Sequence, residues 1–234
     1  MGKSIIQQAR GRGSLTYRVR RKAFIYRLQY PRDLSGAGIV MKLIKSGGHS
    51  APVSKVQYSN GIFFIPAAKG VHEGMEINFG EKAEVKPSNI LRLKDVPLRM
   101  PIFQIESKPG DGGKFIKTAG NSATLNKKQP GKATIVFPSK KEKILDENCR
   151  AIIGEIAGHG RLEKPFVKAG KKYHLKRMKN KLWPRTSAVK VNAIDHPFGS
   201  GRGKNPKSKI AKRNAPPGAK VGLLRPRRTG RRKK

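Results

Sequence analysis

Cysteine is almost missing: Cys149 stands alone, which excludes an intrachain disulfide and every zinc site built on several thiolates. Apolar runs are short as well. None approaches the roughly 20 residues that span a bilayer, and no hydrophobic signal region follows Met1. These absences predict a soluble intracellular protein with no membrane partner. Histidines are few and scattered. His49, His72, His159, His174 and His196 include no pair at the i, i+3 to i+5 spacing of a metal site, so no metal is expected. The most telling scarcity is of acid: 14 Asp and Glu face 53 Lys and Arg, a formal net charge of +39 on 234 residues.

Self-repulsion of that size destabilises a compact state unless an anion neutralises it, so the partner is a polyanion. The excess is unevenly spread. Residues 1–33 carry a net +8, residues 34–157 a net +8 and residues 158–234 a net +23, with Glu163 and Asp195 the only acids after residue 157. The predicted organisation is a domain region between two basic arms that are too poor in large apolar residues to bury a core alone.

The middle reads as short strands between turns. Ile39–Ile44 and Val53–Tyr58 have strand length and composition, and Asn60-Gly61 marks a hairpin into Ile62–Ile65. Met75–Phe79 alternates, and Ile90–Leu93 closes a first set. A second set comprises Ile102–Ile105, Phe115–Thr118, Ala123–Leu125, Thr134–Phe137, Lys143–Leu145 and Arg150–Ile153. The fold class predicted is mostly β, two small barrels with basic irregular extensions at both ends. After Gly158 regular patterning stops. Lys171–Lys181 has room for one or two basic helical turns, and Pro184, Pro197, Pro206, Pro216, Pro217 and Pro226 argue against a long helix beyond it. That tail is expected to be extended and to order on its partner.

Few motifs carry chemistry. Lys108-Pro-Gly-Asp-Gly-Gly-Lys114 fails the P-loop pattern, because Lys108 stands at its first glycine and Phe115 at its Ser/Thr. It reads either as a glycine-rich turn offering N–H groups to RNA phosphate or as a plain strand connection. Trp183, the only tryptophan, suits a nucleobase or ribose face, or packing back onto the second barrel. The segment Val191–Pro206, with Asp195-His196 at its centre and Gly199, Gly201 and Gly203 following, cannot be a packed helix or strand. Asp195-His196 reads as an orienting pair for acid–base work or as a hydrogen-bonding contact to RNA. Arg225–Lys234 is a basic tail, a phosphate neutraliser of little sequence specificity. The same letters also fit nuclear localisation.

Pro109-Gly-Asp-Gly-Gly-Lys114, Cys149–Gly154, Lys164–Gly170, Trp183-Pro184, Asn192-Ala-Ile-Asp-His-Pro-Phe-Gly199, Arg213–Gly218 and Arg228–Arg231 occur in order along nearly the whole chain. Together they resemble the family of the second protein of the large ribosomal subunit, in archaeal spelling. The resemblance implies an oligonucleotide/oligosaccharide-binding (OB) fold over 34–96, an SH3-like barrel over 97–157, and basic extensions at 1–33 and 158–234. It implies a cytoplasmic, non-enzymatic protein without cofactor. Such a protein is a primary binder of large-subunit (23S-type) ribosomal RNA, supporting subunit association, transfer-RNA binding and assembly of the peptidyl-transferase centre. Neighbouring ribosomal proteins and the small subunit are further partners, and a general nucleic-acid packaging protein is the alternative. The family's Asp-His-Pro histidine, linked to peptidyl-transferase activity, falls on His196. Two departures stand out: Ala188-Val-Lys-Val191 replaces the usual Gly-Val-Ala-Met, and Ser200 takes a glycine's place.

Expected RNA contacts in the amino-terminal arm are Arg10, Arg12, Arg18, Arg20, Arg21 and Lys22. Lys114 is expected at the glycine loop. The carboxyl-terminal arm offers Arg161, Lys164, Lys168, Lys171, Lys172, His174 and Arg177, then Trp183, Arg185, Asp195 and His196. Arg202, Lys204, Lys212, Arg213, Lys220, Arg225 and Arg228 complete it.

Overall fold

In the computed structural model, which describes residues 2–80, 83–201 and 210–224, short strands dominate. A one-turn helix, α1 (Ile6–Gly11), precedes β1 (Gly36–Ile44), β2 (Val53–Tyr58), β3 (Gly61–Pro66), β4 (Glu76–Phe79) and β5 (Ile90–Arg92). Then come β6 (Pro101–Phe103), β7 (Ala123–Gln129), β8 (Lys132–Val136), β9 (Glu142–Asp146) and β10 (Arg150–Ile153). Helix α2 (Ala169–Met178) and the two-residue strands β11 (Ile210–Ala211) and β12 (Leu223–Leu224) follow.

Strands β1 to β10 form one sheet in the order β3-β2-β1-β4-β5-β10-β6-β7-β8-β9. The chain divides into two units: Arg20–Lys179, which holds this sheet and α2, and a second made of residues 2–19 with the described residues from 180 onward.

Side-chain alternation explains how one sheet serves two cores. From the outer strands, Val40, Val56, Phe63, Ile65, Ile77 and Phe79 turn into a first core. Leu125, Ala133, Ile135 and Leu145 turn into a second. Strands β5, β10 and β6 lie between them, and because successive residues face opposite sides, they feed both. Ile90, Phe103 and Ile152 enter the first core, while Leu91, Ile102, Ala151 and Ile153 enter the second. Ile90-Leu91, Ile102-Phe103 and Ala151-Ile152-Ile153 are therefore apolar without interruption, the pattern of strands covered on both faces.

The structure departs from sequence patterning in three places. Phe115–Thr118 forms no strand, only a bridge from Phe115 to Ile105. Gly112, Gly113 and Ile116 hold φ of 83°, 82° and 51°, outside the extended region a strand needs. Patterning assigns residues 20–33 to the basic arm, yet Ala23, Leu28 and Tyr30 are buried, and Gln29 donates its N–H to the Phe64 carbonyl of β3 at 3.1 Å. The basic helix is α2, ten residues that start at Ala169 and end at Met178, ahead of Lys179–Lys181, and so longer than the one or two turns expected within 171–181. No residue of α2 is buried, but Met178 closes on Gly47, where any Cβ would run into its sulfur. Gly48, next in line, lies against the Ala23 carbonyl with no room for a Cβ.

A buried ion pair ties these parts together. Glu106, just past β6, has a fully buried side chain, and Arg150, the first residue of β10, is 13 % exposed. Glu106 Oε1 accepts from Arg150 at 2.7 Å (terminal guanidinium nitrogen) and 3.1 Å (Nε), and Oε2 accepts the Arg150 backbone N–H at 2.9 Å. The same guanidinium donates to the Arg32 carbonyl at 3.1 Å and lies 5.5 Å from the centre of the Tyr30 ring. Tyr30 in turn donates its hydroxyl to the Gln104 carbonyl at 2.6 Å. Burial, then the Glu106 carboxylate, hold that phenol well above its ordinary pKa, with Arg150 opposing.

Glu106→Gln leaves Arg150 a buried cation without its counter-charge. The expected outcome is a loss of roughly 3–5 kcal/mol in urea unfolding of the full chain, and a loss below about 1 kcal/mol would show that the pair does not hold the fold.

Candidate nucleic-acid interface

Geometry decides between a phosphate-binding turn and a plain strand connection for the glycine-rich loop Lys108–Lys114. Its N–H groups turn inward onto two carboxylates. Glu106 accepts from Gly110 at 3.3 Å and from Gly112 at 3.1 Å. Asp111 accepts from Ser107, Lys108 and Gly113 at 2.9, 3.2 and 3.0 Å. The remaining N–H groups, of Asp111 and Lys114, bond to the Lys108 and Ile105 carbonyls. The loop is thus a self-satisfied turn whose backbone offers nothing to a phosphate. Its cations are the exposed side chains of Lys108 and Lys114, the latter 3.3 Å from Asp111.

Asp111 shows what that closure does electrostatically. Burial would raise its pKa, but hydrogen bonds from the Ser107 hydroxyl and N–H, from Gly113 and from Lys114 outweigh it and bring the carboxyl to about 2. Cys149 is the opposite case. It is fully buried, and burial followed by the Glu106, Asp146 and Asp111 carboxylates push its thiol up to about 12, so it carries no thiolate chemistry near neutral pH.

In the unit of the two termini, the expected contact residues are held by short-range bonds. Arg12 donates to the Ser4 hydroxyl at 3.1 Å and Arg18 to the Gly13 carbonyl at 3.0 Å. Asn180 donates to the carbonyls of Thr16 and Arg18, both at 2.6 Å, so the start of the carboxyl-terminal arm is stitched to the amino-terminal one. Lys3 adds an N–H bond to the Ile194 carbonyl at 2.8 Å. Arg10 and Trp183 are half-buried, and Trp183 precedes Pro184 through a cis peptide. Arg185, Lys212, Arg213 and Lys220 are exposed. Arg202, Lys204, Arg225 and Arg228 lie outside the described residues.

Asp195 and His196 do not form a dyad. The Asp195 carboxylate meets Lys3 Nζ at 3.7 Å. His196 Nδ1 accepts the Phe198 N–H at 3.0 Å, and its ring lies 5.0 Å from that of Phe198. An Nδ1 that accepts leaves the ring proton on Nε2, so the imidazole is presented as a donor. The turn itself is closed by the Asp195 and His196 N–H groups on the Asn192 carbonyl and by Ser200 on Val191. Gly199 is required there, since a Cβ would strike the Asn192 and Val191 carbonyls. Ser200 holds φ at 68°, a left-handed conformation that glycine adopts without cost, so the backbone keeps a glycine's shape despite the serine.

In the sheet-bearing unit, Arg20, Arg21, Lys22, Arg161, Lys164 and Lys168 are exposed. Helix α2 exposes Lys171, His174 and Arg177, with Lys172 partly covered. It contains no acid, and its last turn carries Lys176 and Arg177, where the helix dipole favours cations. Met178 and the half-buried Leu175 hold the helix to the unit, while its exposed cations have no acidic neighbours on the helix itself and suit an external anionic surface. Sequence patterning overlooked Glu106 altogether. The available signal was an acid directly between an apolar strand and a glycine loop. Among the described residues no group of three or more His, Cys, Asp and Glu is placed to hold a metal, and no helix is long and apolar enough to cross a membrane.

The Asp111 arrangement predicts a pH dependence. A carboxyl near 4 when unfolded and about 2 when folded stabilises the fold fully above about pH 4, and that contribution is lost as pH falls toward 2. Asp111→Asn is therefore expected to lower stability by roughly 1–3 kcal/mol at neutral pH. The gap from the unsubstituted chain, followed by urea unfolding, closes between about pH 4 and 2 and stays constant above it.

Comparison with known proteins gives the family. The family described as Ribosomal Proteins L2, C-terminal domain, matches residues 86–218. The chain is 43% identical over 237 residues to a protein of Methanococcoides burtonii named large ribosomal subunit protein uL2, covering 99% of this chain and 100% of that one. Proteins of the same name from Korarchaeum cryptofilum and Methanothermobacter thermautotrophicus are 41% and 42% identical, the former over 100% of this chain and 98% of its own length, the latter over 100% of both. The chain, mostly β and carrying its excess cations on its terminal segments, belongs to the uL2 family in its archaeal type.

Proposed function

We propose that the chain is a structural, non-enzymatic constituent of the large ribosomal subunit, acting in the cytoplasm, whose OB-like and SH3-like halves place two basic arms on large-subunit ribosomal RNA. One observation carries the reading: twenty-five Lys and Arg after residue 157 face only Glu163 and Asp195, and Asp195 is matched to Lys3. No rearrangement of the chain neutralises that excess, whereas close-packed phosphates do. Folded RNA is recognised by shape and by contacts to single-stranded elements, which suits the close turn at 191–200 and the acid-free α2. Subunit association, transfer-RNA binding and contacts to neighbouring ribosomal proteins belong to the same reading. So does a supporting place near the peptidyl-transferase centre, with His196 a positioned donor to RNA.

At physiological salt the full chain is expected to bind folded large-subunit ribosomal RNA at least about a thousandfold more tightly than duplex DNA of equal length, the lower end of the usual span of specific over non-specific binding. Equal affinities in filter binding would favour a packaging protein. His196→Asn keeps an acceptor near Nδ1 and removes the Nε2 donor. Large subunits reconstituted with it are expected to assemble and to form peptide bonds within about tenfold of the unsubstituted rate, the scale of one hydrogen bond. Normal assembly with abolished bond formation would make the histidine chemically active.

A further inference from the structure

Arms and exposed helices meet any polyanion, but one cavity in the sheet-bearing unit is built differently. It is an open basin of about 750 Å³ between the segment entering the sheet, the loops at 48–50 and 111–118, and residues 161 and 179, within the size range of small-molecule sites. One wall is aromatic. Phe24, 47 % exposed, meets His49 edge-on at 5.0 Å between ring centres, and the half-buried Tyr26 leans on Phe64 at 5.0 Å. The rest is cationic: Arg27, Lys114, Lys117, Arg161 and Lys179 line it with a single acid, Asp111, whose oxygens are already occupied by Ser107, Lys108, Gly113 and Lys114.

The cations are placed by the fold. Lys117 Nζ donates one of its three hydrogens to the Leu28 carbonyl at 2.8 Å, which aims the ammonium, and Arg161 Nε lies 3.4 Å from the Ala119 carbonyl. Burial lowers the Lys117 pKa; Asp111 opposes this, and Arg27 and Lys114 add to it. Burial, then Lys179 and Lys117, lower that of His49, whose Nδ1 pairs with the Ser46 hydroxyl at 2.8 Å. The ring is therefore a neutral aromatic wall in a region short of negative charge. A phosphate alone would leave the aromatic wall unused, and an apolar ligand would leave the cations unmatched. A nucleotide satisfies both, because every base has a π face and a phosphate attached to it.

We infer that this basin captures one unstacked nucleotide of an RNA single strand, its base against Phe24, Tyr26 and His49 and its phosphate at Lys114, Lys117 and Arg161. The inference rests on the RNA-binding reading above. A base within a duplex is already stacked and paired, so the basin selects a splayed single-stranded nucleotide.

The test uses the full chain with a seven-nucleotide single-stranded RNA, the same RNA with an abasic central position, and an RNA duplex. The Phe24→Ala/Tyr26→Ala pair, checked for an unchanged urea midpoint, is expected to lower the ratio of single-strand to duplex affinity roughly 5- to 150-fold, the effect of losing one base stack. It should abolish the preference for the intact strand over the abasic one. On the unsubstituted chain, 5-iodouridine in the strand is expected to crosslink within residues 24–29 or 48–50, a measurement that stands even if the variants do not fold. An unchanged ratio, or crosslinks confined to other segments, overturns the inference. Displacement of the strand by equimolar adenosine monophosphate makes the site one for free nucleotides, and displacement by a phosphopeptide makes it a protein-binding site. If the unsubstituted chain binds neither RNA, the RNA-binding reading fails with it. If it binds both and the ratio does not move, the capture site alone is lost.

Discussion

The Glu106 carboxylate is the constraint on which most of the structure depends. It is buried, so it must be charge-paired and hydrogen-bonded on every side, and its partners come from distant parts of the chain. Arg150 reaches it from β10, Gly110 and Gly112 from the glycine loop, and Arg150 passes the connection on to Arg32 and Tyr30. A loop whose spelling suggests phosphate binding is by this means turned inward, and the chain leading to the first strand is held against the sheet. The acid that organises this basic protein acts within the fold, by fixing the surfaces proposed above to meet RNA.

Around that pair, the three central strands act as a partition between two cores. Their uninterrupted apolar stretches were legible as strands, and Asn60-Gly61 marked the β2–β3 hairpin, although the turn falls on Ser59-Asn60 and Gly61 already pairs with Tyr58. Sharing of the strands between two cores was not legible, since an apolar Ile90-Leu91 shows that both faces are covered but not by what. The ends of the folded region were equally hidden. Ala23, Leu28 and Tyr30 lie in a short, mostly apolar stretch between Lys22 and Arg32 that shows no strand or helix period, and only the neighbours they find show that residues 20–33 belong with the sheet.

For the candidate interface, composition carried the polyanion and motifs carried the family, while particular side chains changed meaning. Asp195-His196 looks like a dyad because the residues are adjacent. In the fold each has a different partner, Lys3 for the carboxylate and the Phe198 N–H for the imidazole, because successive side chains in a turn diverge. Phe24, Tyr26 and Lys117 passed without notice because nothing local distinguishes them. They matter together, and they meet only once the glycine loop and the segment at 23–30 are docked.

The amino-acid sequence alone determined the charge excess and its concentration in the terminal segments, the mostly β patterning and the family. These are properties of residues and their near neighbours. Tertiary structure alone decided where the loop's N–H groups turn, which core each central strand feeds, which partner Asp195 and His196 choose and where aromatic and cationic side chains converge. Most of those depend on groups many residues apart, and the local ones, such as the Phe198 N–H on His196, depend on a turn that the whole unit holds. Glu106 and Arg150 are separated by 44 positions, so nothing local pairs them, and the energy of bringing them together exists only when the chain is folded.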